Sequence, residues 1–246
     1  MIEREFEVGD TPAVQVAIRS GGVQVERGDP GKVRVVADTN SKEFILEQLG
    51  GRVVARAPRG ERTSVTVVTP SGTDLEVSTA SGDVHVRADL GRFEVSTASG
   101  DVYFEKAVTL VAKSASGAVR GDTVTTEARC VTASGDIRIS RLPDRASLST
   151  ASGDVVVDEA RGNLTCATVS GDVRVDSMIG PSFEGKSMSG NTRIGIPGRT
   201  RVDLDVNTLS GKIRLPTPSE NPQPPEREMT IRARTVSGNI RIDRID

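Results

Sequence analysis

The chain has 246 residues, with 34 acids against 32 bases, one His, two Cys, no Trp, five Phe and one Tyr. A net charge of −2 with both signs interspersed supplies no long-range field for nucleic acid or an anionic membrane. The single His excludes a multi-His metal centre, and any Ser-His-Asp constellation has to be built around His85.

The opening stretch, Met1 to Phe6, is charged and has no apolar segment behind it. No stretch approaches the roughly 18 apolar residues of a membrane span. With only two Cys, these features predict a soluble, cytoplasmic chain in reducing surroundings, with no direct membrane insertion.

Residues 1–77 alternate apolar and polar side chains, as in Val14-Gln15-Val16, Val33-Arg34-Val35 and Val65-Thr66-Val67, but at irregular spacing. Ser41 to Leu49 fits either a short helix or one more strand. From residue 78 a repeat takes over. Ser-Gly recurs with its glycine at Gly82, Gly100, Gly117, Gly135, Gly153, Gly171, Gly190, Gly211 and Gly238, spaced 18, 17, 18, 18, 18, 19, 21 and 27 residues apart. Ser20-Gly21-Gly22-Val23 is an earlier copy.

Short apolar alternation, mostly β-branched, follows seven of these glycines: Val84 and Val86, Val102 and Phe104, Ile137 and Ile139, Val155 and Val157, Val173 and Val175, Ile213 and Leu215, Ile240 and Ile242. A second alternating segment lies 11 and 13 residues on, at Phe93 and Val95, Ala128 and Cys130, Ala146 and Leu148, Leu164 and Cys166. Period two, broken by Gly, describes strands. One repeat cannot bury its apolar face alone, so the repeats are expected to stack in parallel. The alanines two residues before the glycines, such as Ala80, Ala98 and Ala151, are expected inside, facing Val and Ile.

The fold class is therefore all-β: a single-domain parallel β-solenoid, or β-helix, with an 18-residue repeat. Nine or ten rungs, about 4.8 Å apart, predict a rod roughly 45 Å long. The whole of 1–246 reads as one domain, with irregular N-terminal rungs over 1–77 and regular repeats over 78–246. The proline-rich stretch 216–228 reads as a loop, after which Met229 to Arg234 resumes the solenoid. Cys130 and Cys166 lie two rungs apart, too far for a disulfide, and are expected as free, buried thiols. The last strand, Asn239 to Ile245, is expected to carry an open edge.

The T-A-S-G-D-V-x-V repeat, with its lead-in from Val67 to Val77, resembles a bacterial β-strand-repeat family of unknown function known as the toastrack domain and often given an adhesin label. The resemblance covers nearly the whole chain and implies the solenoid fold. It carries no catalytic residues. Relatives occur near envelope-stress and membrane-associated regulatory proteins, which implies such a setting here; many carry a transmembrane segment, and this sequence has none.

Four groups of side chains are candidates for chemistry. Asp83, Asp101, Asp136, Asp154 and Asp172 form a column whose mutual repulsion invites a cation, interrupted by Ala118; turn chemistry, with Asp and Ser bonding nearby amides and Gly supplying an unusual dihedral, explains it better. Arg120, Arg138, Arg174, Arg193, Arg214 and Arg241 recur three residues after the glycine and form the candidate interaction face, although acids two residues further on offset Arg120, Arg174 and Arg241. His85, between inward Val84 and Val86, points outward with no visible partner. Paired carboxylates for glycoside cleavage lack a cleft and aromatic platforms.

No cofactor and no metal are expected, and the chain reads as not an enzyme. The favoured function is a non-catalytic binding or scaffold module for an unidentified protein partner. The alternative is a structural protein that self-assembles, as a homo-oligomer, through strand edges at the solenoid ends. A carbohydrate-active enzyme comes third.

Overall fold

A computed structural model describes residues 1–39, 41–142, 144–216 and 224–245. These form strands and turns, with no helix among them. Two compact units divide the chain, Met1–Thr123 and Val124–Asp246.

The first unit carries β1 (Ile2–Glu7), β2 (Ala13–Ala17), β3 (Val23–Arg27), β4 (Lys32–Asp38), β5 (Ile45–Leu49) and β6 (Arg52–Arg56). It continues through β7 (Ser64–Thr69), β8 (Thr73–Thr79), β9 (Val84–Thr97) and β10 (Val102–Ser114), and β11 (Val119–Thr132) leads into the second unit. Ser41 to Leu49 thus resolves as a turn and a strand.

Parallel, in-register pairing is the rule. Val65, Val23, Val84 and Val102 stand side by side on β7, β3, β9 and β10. Val53, Val14, Leu75, Phe93 and Leu110 do the same on β6, β2, β8, β9 and β10. All of these are buried. Each such aliphatic side chain contributes about 1.5–3 kcal/mol of burial. The β2–β3 rung lies between the β6–β7 and β8–β9 rungs, although it comes first in the chain. The irregularity of residues 1–77 has a second cause: β4 runs antiparallel to β7, β1 to β4, and β5 to β6. Antiparallel strands here cover edges that the parallel stack leaves open.

The second unit carries β12 (Ile137–Leu142), β13 (Arg145–Thr150), β14 (Val155–Ala160), β15 (Asn163–Thr168), β16 (Val173–Met178) and β17 (Ser182–Ser189). Then come β18 (Thr192–Pro197), β19 (Thr200–Ser210), β20 (Ile213–Arg214), β21 (Arg227–Ser237) and β22 (Ile240–Ile245). One row of strands runs β12, β14, β16, β18, stacking Ile137, Val155, Val173 and Thr192. The other runs β13, β15, β17, stacking Ala146, Leu164 and Phe183. Cys130 and Cys166 flank Leu148 in register, and both are free and buried.

Spatial order then departs from chain order. β21 pairs with β17 on one side and β19 on the other, and β22 lies between β18 and β20. The last strand is therefore interior, which corrects the expectation of an open edge at Asn239 to Ile245. Among the described residues the open edge belongs to β19 and β20, where Val202, Leu204 and Val206 are half-buried and Ile213 and Leu215 are exposed. β21 begins at Arg227, so the strand resumes slightly before Met229. Of the expected proline loop, 217–223 lies outside the described residues.

Two further expectations change. The alanines before the turn point out: Ala98, Ala115, Ala133 and Ala151 are exposed. And most of the repeat glycines serve close approach rather than an unusual dihedral, although Gly21, Gly190 and Gly238 do have positive φ. None of Gly82, Gly100, Gly117, Gly153 and Gly171 has positive φ, yet a Cβ on Gly100 would overlap the carbonyl oxygen of Gly82, and one on Gly153 that of Gly135. Successive turns stack backbone on backbone, and a side chain there has no room.

Candidate functional site

The acidic column is built into the stacking. In the first unit the N–H of Asp101 donates to Asp83 Oδ1 at 3.0 Å, and that of Ala118 to Asp101 Oδ1 at 2.9 Å. In the second, Asp154 donates to Asp136 at 2.9 Å, Asp172 to Asp154 at 2.8 Å and Asn191 to Asp172 at 2.7 Å. Each side chain satisfies the backbone of the next rung, so the carboxylates accept bonds where the sequence suggests bare repulsion. Among the described residues no His, Cys, Asp or Glu side chains gather in a group that could hold a metal ion.

A hydroxyl column three residues before each glycine, Thr except at Ser114 and Ser187, escaped the sequence reading. Thr97, Thr132 and Thr150 are buried, and their Oγ1 atoms accept the N–H of Gly100, Gly135 and Gly153 at 2.9, 2.9 and 3.0 Å. The signal was present in the S-T-A-S-G-D wording of the repeat.

The candidate arginines fall into two groups. Arg120, half-buried, reaches Asp101 at 3.2 Å and the Tyr103 hydroxyl at 2.6 Å, with its guanidinium 5.3 Å from the Tyr103 ring centroid. Tyr103 stacks on His85 at 4.9 Å and 6°. His85 is exposed as expected, and its aromatic neighbour on the next rung was not anticipated. An open groove of about 480 Å³ beside it is lined by Gln24, Arg62, Asp83 and His85.

Arg138, Arg174, Arg193, Arg241 and Arg214 belong to the second unit and are exposed. Register places Arg174 beside Arg193, Arg193 beside Arg241, and Arg241 beside Arg214. Arg138 meets Asp158 at 3.7 Å, and Arg174 grips Asp176 at 2.6 Å. Asp243 serves both Arg241 at 2.6 Å and Arg193 at 3.5 Å. The bond to Asp176 holds the Arg174 guanidinium protonated beyond its ordinary range. Arg174, Arg193 and Arg241 line an open groove of about 560 Å³ with Asn191 and Asn239. Such a surface can bind a partner by charge and hydrogen bonding; it brings no nucleophile together with a base.

The thiols are no better placed for reaction. Burial pushes Cys130 and Cys166 up to about 12, so neither offers a thiolate near neutral pH. No described helix is long and apolar enough to cross a membrane.

No curated protein matches the sequence. Several solved structures match over nearly the whole chain. A "putative lipid binding protein" from Parabacteroides distasonis ATCC 8503 is 15% identical, with TM-score 0.53, covering 100% of this chain and 96% of its own. A "putative adhesin" from Parabacteroides merdae ATCC 43184 is 10% identical, with TM-score 0.47 and coverage of 100% and 96%. Another "putative adhesin", from Bacteroides fragilis NCTC 9343, is 11% identical, with TM-score 0.39 and coverage of 99% and 96%. At these identities the likeness concerns the fold alone. The model of the Toastrack DUF4097 family matches residues 22–244, nearly the whole chain, and the protein belongs to that family.

Proposed function

We propose that the chain is a non-catalytic binding or scaffold module acting in envelope or membrane-stress regulation. One observation supports this above others: its chemistry-bearing side chains are engaged in its own ladders. The Asp oxygens hold the amides of the next rung, most of the candidate arginines are paired with acids, and the thiols are buried. What is left for function is surface. The lipid-binding and adhesin names of the fold relatives fit a binding role.

Crosslinking the tagged protein in its own cell and identifying what co-purifies tests this reading. A specific partner, lost on Arg138→Glu with Arg174→Glu while the fold persists, supports it. Turnover of a polysaccharide that disappears with one carboxylate substitution overturns it.

A second reading, self-assembly through a solenoid end, is favoured by the open edge of β19, which among the described residues pairs only with β21. Light scattering of the wild type and of Leu204→Lys checks it. A strict monomer in both at high concentration removes it.

A further inference from the structure

The position two residues before the repeat glycine changes character along the second unit. It is Ala at 133 and 151, then Val169, Met188, Val236 and Leu209. Register makes the last four neighbours in that spatial order: Thr168 lies beside Ser187, Ser187 beside Thr235, and Thr235 beside Thr208, each one residue before the position concerned. These side chains are 46%, 59%, 48% and 83% exposed. They form an apolar ridge along a turn, ending where Ile213 and Leu215 are also exposed.

Charge changes with it. Three residues after each of these positions stand Asp136 and Asp154 beside the alanines and Asp172 beside Val169. They are followed by Asn191, Asn239 and Lys212 beside Met188, Val236 and Leu209. On those three rungs the segments 186–193, 234–241 and 207–214 hold Lys186, Arg193, Arg234, Arg241, Lys212 and Arg214, and no acid. Acids from outside reach some of them: Glu184 meets Lys186 at 2.8 Å, Asp205 meets Arg234 at 3.1 Å, and Asp243 meets Arg193 and Arg241. Among the described residues none pairs with Lys212 or Arg214. The near-zero net charge of the whole chain conceals this local imbalance.

We propose that the ridge is a peripheral docking surface for an anionic lipid bilayer. Met188, Val236 and Leu209 enter the interfacial region, and the flanking Lys and Arg meet headgroup phosphates. Apolar side chains flanked by cations are the arrangement that binds such an interface, each cation near the surface adding to the attraction. A ridge, unlike a groove, has no walls to hold a peptide. A second copy docked ridge to ridge sets cation against cation. This inference rests on the binding-module reading and names its partner.

The test uses the full chain and phosphatidylcholine vesicles with and without phosphatidylglycerol. Co-sedimentation with the anionic vesicles alone, weakening with added salt, is the expected result. Met188→Ser with Leu209→Ser lowers binding by roughly tenfold or more, since two apolar side chains are withdrawn from the interface. Lys212→Glu with Arg214→Glu lowers it by a similar factor. Circular dichroism checks that these exposed substitutions keep the fold. Met188→Trp places a tryptophan in a chain that has none, and its emission shifts to the blue on anionic vesicles. Absence of binding to anionic vesicles, or binding indifferent to the apolar substitutions, overturns the proposal. A chain that ignores vesicles but captures a specific protein overturns the ridge and leaves the binding module standing; one that captures neither overturns both.

Discussion

Asn239 donates its backbone N–H to the Oδ1 of Asn191 at 3.1 Å, across 48 residues of sequence, while Lys212, much nearer in the chain, donates to Oδ1 of Asn239 at 2.9 Å. The C-terminal rung is thus held between two earlier ones. The glycines agree: a Cβ on Gly238 would strike Gly190, and one on Gly211 would strike Gly238. β2–β3, between β6–β7 and β8–β9, is placed by the same kind of insertion in the first unit. Parallel rungs depend on nearest-neighbour contact, so an inserted rung holds two neighbours where a terminal rung holds one.

Removal of β21 and β22, by truncation after Glu226, is therefore expected to do more than shorten the stack. It takes from β17 and β18 their outer neighbours and from β19 the one partner strand it has among the described residues. Limited proteolysis is expected to cut throughout 199–216 in the truncated chain while sparing the rungs from β12 to β16. By contrast, deleting residues 155–172, one sequential repeat, leaves a folded chain in the same register. Protection of 199–216 after truncation would show that β19 does not depend on β21.

Most of the fold was legible because the repeat is the fold. Val155, Val157, Val173 and Val175 alternate, and all four are buried. The order of the last rungs was not legible, since parallel pairing in register is satisfied by any order of similar rungs. The only sequence trace is the lengthening of the glycine spacing to 21 and 27 residues. The alanine column misled because small apolar residues suit an exposed tight turn as well as a narrow core. The candidate face was half visible. The Arg174–Asp176 pairing follows from the spacing, but Asp243 serving both Arg193 and Arg241 requires the inserted rung.

Gly153→Ala is expected to destabilise by about 3 kcal/mol, through overpacking of backbone against backbone. The new methyl would overlap the Gly135 carbonyl, which belongs to the main chain of the preceding turn and cannot move aside. Gly9→Ala is the control, because nothing lies within 4 Å of its Cβ position. Urea unfolding of both variants measures the difference; equal midpoints would show that the turns have slack.

Asp172→Ala removes the acceptor for the N–H of Asn191 at 2.7 Å and for its Nδ2 at 3.3 Å. The expected cost is about 1 kcal/mol. Asp172→Asn keeps an oxygen in place and is expected to retain most of the stability. Should the two variants unfold alike, the column acts through its charge and not through its hydrogen bonds. Arg174→Ala, which breaks an exposed pair with Asp176, is expected to leave the urea midpoint unchanged.

The buried thiols give a pH dependence of known sign. Each ionises at about 8.5 when solvated, and burial raises Cys130 and Cys166 to about 12. The folded chain holds these protons more tightly than the unfolded one. Their contribution to stability is therefore whole below about pH 8.5 and lost as pH rises toward 12. The slope is about 1.4 kcal/mol per pH unit for each thiol within that window. Cys130→Ala with Cys166→Ala is expected to flatten the alkaline limb of the stability curve, measured by urea unfolding across that range, while lowering stability at neutral pH through the cavities left. In the wild type a thiol reagent at neutral pH should label neither cysteine until the protein unfolds, because the thiolate and access to it are both withheld. Fast labelling of Cys166 in the native state would mean that the strand row carrying it, β15 between β13 and β17, opens well below the global unfolding energy.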